Sequence, residues 1–434
     1  MKRKNNMDIQ ALERSLLEHP NLSGLTPDEQ LALLKERAKH IVGEDRLRAT
    51  LVIARKEGRG LRVKYGIDAT AKDIHLGHAV PLFVLRRLQN MGHHVVLLIG
   101  DFTAQVGDPT GRVSTRPVLS SAEIRANAEL FAAQAGKILD LKRTEVRFNS
   151  EWLDVFKLAR FFTVCRGINV SMAMQRDDFR KRESVTVAEM LYALLMAIDS
   201  VELKSEIELG GDDQLLNFYT TERVMENEGL SPESAITTDI LLGTTGDGHK
   251  MSKSLGNYIP VTADPVDMFG KIMSIPDAQV ESYFKLLTDM RDAQWDELAA
   301  AIVNGSVHPR NAKRLLARVV VADLNGLAAA DAADEDFRRR IVEKEVPADL
   351  PVVQVPAGKA ATWITLLRAL GITQAASNSD ARRLLDGGGV HLVTAGADQV
   401  MKQSDPVPAP GTQQDVRVGK RTFVRFIINA QEGA

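Results

Sequence analysis

Two short segments of the chain concentrate side chains suited to phosphate chemistry. GIDATAKDIHLGH, residues 66 to 78, sets His75 and His78 three apart with Gly77 between them. The segment falls between a strand signal and a helix signal. Both imidazoles therefore stand beside a helix N-terminus, where backbone N–H groups and the helix dipole favour an anion, and Gly77 permits close backbone approach. All three suit a polyphosphate. Two histidines at this spacing are also metal-ligand material, although no third ligand is apparent nearby, and a surface turn would carry the same short pattern. GDGHKMSKSLGN, residues 246 to 257, supplies Lys250 and Lys253 around Met251 and Ser252, with flanking glycines. Such a mobile cationic loop can follow charge developing on a leaving pyrophosphate, whereas KxxK alone also describes a solvated basic turn. A third stretch, MLYALLMAIDSVELKSEIELGGDDQ, residues 190 to 214, begins as an apolar helix. It carries Tyr192 and Asp199 seven residues apart, a spacing that puts both on one helix face.

These segments need a framework of strands and helices. LRVKYGI reads as a strand, AVPLFVLRRLQ as a helix and HVVLLIGD as a buried strand of continuous apolar residues. Strand, loop, helix, strand is a βαβ unit and implies a parallel sheet. Ser121 to Leu141 reads as helix-rich and TEVRFNSEW again as a strand. The fold class expected is α/β, with a Rossmann-like parallel sheet followed by a helical domain and a small α+β module. The expected boundaries are an N-terminal helical segment over 1–60, the parallel-sheet domain over 61–260, helices over 261–346, a charged, proline-bearing linker over 347–355 and the small module over 356–434.

Composition narrows the alternatives. At 434 residues the chain exceeds one ordinary core, so two or three domains are expected. A hydrophobic fraction of 44% with 26% charged residues is that of a soluble globular enzyme rather than a disordered chain. A formal charge of −2 argues against a globally basic nucleic-acid binder but leaves room for a local phosphate-binding patch. The lone Cys165 excludes an internal disulfide framework and a multi-cysteine zinc site, which fits a cytoplasmic location. MKRKNNMDIQ lacks a following apolar core, and no apolar run reaches about 18 residues, so neither a signal peptide nor a membrane span is expected.

HLGH followed, a domain length later, by KMSKS on a βαβ background resembles the paired signatures of class I aminoacyl-tRNA synthetases. GIDATAKDIHLGH, LLIGDFTAQVGDPTGR, QRDDFRKR, LYALLMAIDSVELKSEIELGGDDQLLNF and KMSKSLGN resemble the bacterial tyrosyl-tRNA synthetases, and the terminal segment resembles their S4-like RNA-binding domain. The resemblance implies ATP-dependent formation of tyrosyl adenylate and transfer of the aminoacyl group to tRNA, with tRNA(Tyr) the expected species. ATP would arrive with Mg2+ as co-substrate rather than with a protein-held metal. It also implies that 61–260 is catalytic, that 261–346 recognises the anticodon, and that the protein is a homodimer.

Residue by residue, the resemblance assigns Thr70, His75, His78, Lys250 and Lys253 to the reacting phosphates. Asp68, Gly77, Gly211, Asp213, Met251 and Ser252 match the ATP-binding set. Lys64, Tyr65, Thr103, Asp108, Asn149, Tyr192, Met196, Asp199 and Gln214 match the amino-acid pocket. Chemically, Asp108 can hold an ammonium group beside Tyr192, and Asp199 can accept a hydrogen bond from a phenol. Lys402, Arg417, Lys420, Arg421 and Arg425 are the expected phosphate contacts of the terminal module.

The departures are concentrated in the pocket. Met196 stands where the family usually has a glutamine that contacts the substrate's amino end, and a thioether lacks the amide's donor and acceptor. Gln105, in the adjacent loop, is the polar candidate to compensate. Lys64 stands where a tyrosine is usual, with its ammonium able to donate to the phenol oxygen or to pair with Asp199. These changes leave open a paralogue that activates a modified tyrosine or a β-amino acid analogue. A non-catalytic RNA-binding protein is the reading from another class, and retention of both phosphate signatures counts against it.

Overall fold

The computed structural model describes residues 7–69, 73–108, 120–170, 179, 185–342, 350–394, 397–419 and 422–430. Thr70, Lys420 and Arg421 lie outside the described residues, as do 347–349 of the expected linker. The chain divides into two compact units, Met1–Asp331 and Ala332–Ala434.

The first unit is organised by a six-stranded sheet. Its strands are β1 (His40–Val42), β2 (Arg62–Asp68), β3 (His94–Gly100), β4 (Thr144–Phe148), β5 (Ile207–Gly211) and β6 (Ser234–Thr238), in the order β1-β6-β5-β2-β3-β4. β2 to β6 are parallel, and β1 is antiparallel on the edge. The segment expected to be an N-terminal helical piece therefore also contributes a strand to the sheet. Val95 to Ile99 of β3 are buried, which explains the unbroken apolar run: helices cover both faces of a parallel sheet.

After β4 the chain crosses back to the other side of β2 to form β5. At this reversal the loops leaving β2 and β5 run in opposite directions and open a crevice at the carboxyl ends of the strands, the usual ligand position in such sheets. The helix Leu76–Asn90 leaves β2 at this crevice, with His75 as its N-cap. The helix Val187–Leu203 starts with a capping box between Thr186 and Glu189 and buries Leu194, Ala197, Ile198 and Val201 in a core shared with Val96, Leu98 and Trp152. Its last turn ends on Lys204 in the left-handed conformation (φ 49°), and β5 follows.

The helix Leu76–Asn90 is also tied to the helices beyond the sheet. Arg86 pairs with Asp323 at 2.7 Å and with Asp289 at 3.2 Å, while Arg87 reaches Asp289 at 3.3 Å. His19, following the first helix, Ile9–Leu17, closes the cluster on Asp289 (3.2 Å) and Asp323 (3.0 Å).

The second unit is α+β, as expected. Its sheet runs β7 (Val352–Val355), β11 (Thr422–Ile428), β10 (Gln413–Val418), β8 (Val390–Thr394), β9 (Ala397–Val400), all antiparallel neighbours except the parallel pair β7 and β11. The helices Trp363–Ala369 and Asn378–Asp386 contribute Trp363, Leu366, Leu367 and Leu385 to a core with Val390, Val416 and Phe426. Val352–Val355 corrects the expected linker: these four residues form a strand because their alternation lets Val353 and Val355 pack inward beside β11.

His19 yields a test. Hydrogen bonds that it donates to Asp289 and then Asp323 raise its pKa to about 9 against an ordinary 6.5. The raised value means that this contribution is complete below pH 6.5 and disappears as pH rises through 9. With about a third of the side chain exposed to solvent screening, roughly 1–2 kcal/mol is at stake. Urea denaturation at pH 6 and at pH 9.5 should show that loss, and His19→Gln should abolish most of the difference.

Candidate active site

At the crevice between β2 and β5 lies a cavity of 580 Å³. Its lining brings together the three segments that the sequence singled out: Asp68, His75, Gly77 and His78 from the first, Lys250 to Lys253 from the second, and Tyr192, Met196, Asp199 and Gly211 to Gln214 from the third, Asp212 excepted.

At the His75 end of the cavity, the rings of His75 and His78 stack with centroids 3.7 Å apart. Burial, then Lys253 and Lys250, pushes the His75 pKa down to about 4, so at neutral pH it is an uncharged hydrogen-bonding group. Positive charge comes instead from the two lysines. Lys253 sits 3.4 Å from Asp73, and Lys250 is exposed at the cavity rim. Among the described residues no group of three or more potential metal ligands is found.

The backbone of the lysine loop is tied at Lys250, Met251 and Ser252. Met251 N–H donates to Leu241 O at 2.9 Å. Asn257, fully buried, accepts from Ser252 N–H at 2.8 Å and donates from Nδ2 to Lys250 O at 3.2 Å. Gly243 makes this clamp possible, since a Cβ there would lie 2.1 Å from Asn257 Nδ2. On the other side, Leu76 N–H donates to Ile259 O and Val261 N–H to Ile74 O, both at 2.9 Å, so the segment after the lysines is stitched to the segment before the His75 helix.

The remaining lining forms a connected polar network. Tyr192 OH donates to Asp68 Oδ2 at 3.1 Å, and Thr103 Oγ1 donates to Asp68 Oδ1 at 2.7 Å. Asn149 Nδ2 donates to Thr103 Oγ1 (3.0 Å) and to Asp199 Oδ2 (3.2 Å), while its Oδ1 accepts from Phe102 N–H. Gly100, at the end of β3, leaves the space for this junction: a Cβ would meet Asp68 Oδ1 and Thr103 Oγ1 at 2.3 Å. Gln214 Nε2 donates to Asp108 Oδ2 at 2.8 Å, which joins the polar turn after β5 to the loop after β3. Asp199 also accepts from Trp152 Nε1 at 2.8 Å. Burial pushes its pKa up to about 7, against the pull of Lys64, Trp152 and Asn149.

Several expectations need correction. Lys64 does not pair with Asp199: its fully buried ammonium lies 2.8 Å from Glu208, and Ser200 Oγ takes a second donor. The cause is register, because Lys64 and Glu208 are direct partners across β2 and β5. Tyr65 also lines the cavity, from the face of β2 opposite Lys64 and Asp68, with Asp213 as its charged neighbour. Gln105 supplies nothing to the pocket; it is exposed and donates to Asp101 O at 3.4 Å. In the second unit Arg417 is buried between Asp398 (2.6 Å) and Gly419 O (2.7 Å), and Arg425 pairs with Asp415 at 2.8 Å. Internal carboxylates in the same sheet thus occupy both guanidinium groups. Lys402 is exposed.

The sequence reading missed Trp152, Ser200, Glu208, Glu233, Asp73 and Asn257. Glu208 alone carried a visible signal, a charge inside the otherwise apolar strand IELGG.

A parallel sheet with its ligand crevice at a switch point, a histidine pair on a helix N-terminus and a clamped lysine loop opposite define a class I aminoacyl-tRNA synthetase. The family model for class I tRNA synthetases (W and Y) matches residues 56–341, and the chain belongs to that family. It is 40% identical over 406 residues to the tyrosine–tRNA ligase of Thermotoga maritima, covering 93% of this chain and 98% of that one. It is 39% identical over 399 residues to that of Dehalococcoides mccartyi, covering 91% and 98%. Among solved structures, the tyrosyl-tRNA synthetase of Archaeoglobus fulgidus complexed with L-tyrosine superposes with a TM-score of 0.57 at 25% identity, over 71% of this chain and 99% of that one.

The Asn257 clamp can be tested directly. Asn257→Ala removes two loop hydrogen bonds, so ATP–pyrophosphate exchange should slow about tenfold or more. The KM for the amino acid should stay within about twofold, because the pocket network does not include Asn257.

Proposed function

We infer that the chain is a tyrosine–tRNA ligase, which activates tyrosine with ATP to tyrosyl adenylate and transfers the tyrosyl group to tRNA. The carrying observation is that both phosphate signatures and the Tyr192–Asp68–Asp199 network line a single cavity. A protein that only bound RNA would have no use for that convergence. In the first step a tyrosine carboxylate oxygen bonds to the α-phosphorus as the bond to the bridging oxygen breaks and pyrophosphate leaves. In the second, a hydroxyl of the terminal tRNA adenosine takes the acyl group and AMP leaves. Neither step needs a covalent enzyme intermediate, so the work of the protein is positioning and charge stabilisation.

His75 and His78 donate hydrogen bonds to the phosphates from a helix N-terminus. Lys250 and Lys253 neutralise charge on the departing pyrophosphate, with Lys253 exchanging its exposed Asp73 partner for phosphate. Gly211 and Asp213 hold the ribose. ATP enters with Mg2+ bound to its phosphates. Asp68, Asp108, Tyr192 and Gln214 surround the ammonium group, and Asp199, backed by Asn149 and Trp152, accepts from the phenol. A ring without the hydroxyl leaves that buried acceptor unmatched, the basis for rejecting phenylalanine.

For assembly, Val155, Leu158 and Phe162 expose 76%, 68% and 58% of their surface beside one another in sequence, which supports a homodimer formed through the helix Leu158–Cys165. tRNA(Tyr) is the substrate RNA, met by the helices from Pro265 to Asn325 at its anticodon. Exposed Lys402, Arg382 and Arg383 of the S4-like second unit contact its phosphates. The enzyme works in the cytoplasm; among the described residues no helix is long and apolar enough to cross a membrane.

A second reading rests on Met196, which lines the cavity four residues from Tyr192 while Gln105 stays outside. It is a paralogue whose substrate has a displaced amino group, such as a β-tyrosine. Pyrophosphate exchange with tyrosine, β-tyrosine, ring-modified tyrosines and phenylalanine decides between the two. Tyrosine should win and be charged onto tRNA, and failure of tyrosine with success of an analogue would select the second reading. Met196→Gln should lower the KM for tyrosine about tenfold by adding a hydrogen bond to a charged group. Lys253→Ala and His78→Ala should each slow adenylate formation by about a hundredfold or more while leaving the Kd for tRNA within about twofold.

A further inference from the structure

Beyond the phenol end of the cavity lies a set of buried polar groups that the reaction does not use. Lys64 Nζ, besides its 2.8 Å contact with Glu208 Oε1, donates to Ser200 Oγ and, at 3.5 Å, to Met196 O. Ser200 Oγ donates to Glu233 Oε1 at 3.0 Å, and Ser205 Oγ donates to Glu233 Oε2. Lys64, Glu208, Glu233, Ser200 and Ser205 are all buried. Burial, opposed by Lys64 and reinforced by Glu233, holds Glu208 well above the usual carboxylate range. Burial lowers the Lys64 pKa, but Glu208, Glu233 and Asp199 more than offset it and keep the ammonium protonated.

A buried cluster of this kind is no efficient source of stability, because apolar residues of the same volume do as well or better. Its placement points elsewhere. Met196 O and Ser200 Oγ, the two acceptors that Lys64 takes from the helix Val187–Leu203, bracket Asp199 on a single turn. The charged and titratable groups facing Asp199 are Lys64 and Asp68 from β2, Glu208 from β5, Glu233 through Ser200, and Tyr192 on its own helix, which donates to Asp68. The segment after β4 contributes the neutral donors Asn149 and Trp152, and β3 contributes apolar Val96 and Leu98. Lys64 is the one cation in that set.

We propose that Lys64 is a positioning residue for substrate selection: docked on the turn that carries Asp199, its ammonium keeps that carboxyl an ionised acceptor and so favours a ring bearing a hydroxyl over one without. The inference rests on the reading of Asp199 as the phenol acceptor. An ionised acceptor makes a charge-assisted bond to the phenol O–H, roughly twice as strong as a neutral one. A protonated Asp199 presents a donor instead and discriminates less.

The test is the pH dependence, from pH 5.5 to 9, of kcat/KM for tyrosine and for phenylalanine in ATP–pyrophosphate exchange by the full chain. The ratio of the two cancels titrations that affect both substrates. In the parent enzyme the tyrosine preference should fall as pH drops through about 7. Lys64→Met should move that midpoint up by about one pH unit or more and cut the preference at pH 7 about tenfold. Glu208→Gln, which keeps the ammonium and weakens its counter-charge, should move the midpoint down. It also carries the test alone if Lys64→Met does not fold. Opposite shifts are a signature that a purely structural role for the cluster would not produce. A midpoint unmoved in every variant that retains the parent melting temperature overturns the proposal. Asp199→Asn separates it from the site reading beneath it: an unchanged tyrosine preference there overturns the assignment of Asp199 itself.

Discussion

The pairing of β2 with β5 is the constraint on which the rest of the site depends. These strands are neighbours in space but far apart in the chain, and their register sets Lys64 against Glu208 with both side chains buried. A slip of one residue would turn the two to opposite faces and leave two buried charges unpaired, at a cost of several kcal/mol. The ion pair therefore acts as a register lock. With the register fixed, Asp68 at the end of β2 and Gly211 at the end of β5 open onto the same crevice, and the loops that follow them can share a ligand.

The second requirement is that the histidine and lysine segments, from distant parts of the chain, converge on one cavity. The His75 helix is held from behind by Arg86 and Arg87 on Asp289 and Asp323. The lysine loop is tied at Lys250, Met251 and Ser252 by Leu241 and Asn257, and the segment after it is stitched to Ile74 and Leu76, while Lys250 and Lys253 line the cavity. A histidine pair opposite a loop whose backbone is tied while its lysine side chains reach the cavity suits a reaction whose charge migrates toward the leaving group.

Polar groups inside the first unit and arginines in the second follow one rule: a charge withdrawn from water acquires a partner. Asp199 finds Trp152 and Asn149, Asp68 finds Tyr192 and Thr103, and Arg417 finds Asp398. The same rule explains why a count of basic residues in the second unit does not show which of them already have acidic partners. Arg425 on β11 meets Asp415 on the adjacent β10, and Arg417 on β10 reaches across β8 to Asp398 on β9; linear sequence does not record that strand order.

The sequence by itself determined the class of fold and singled out the histidine and lysine segments that the structure brings to one cavity. Continuous apolar runs report strands buried on both faces, and a histidine pair at the start of a helix or a lysine pair in a glycine-flanked loop carries its chemistry locally. Its seven-residue spacing likewise placed Tyr192 and Asp199 on one face of a helix. Only the tertiary structure decided what those residues meet. That Lys64 belongs to Glu208 rather than Asp199, that Gln105 faces solvent, that Trp152 backs Asp199 and that Val352–Val355 is a strand all depend on strand order and register. Those are set by long-range pairing, in which contact partners come from distant segments and the energy of a buried group depends on neighbours that local pattern does not specify.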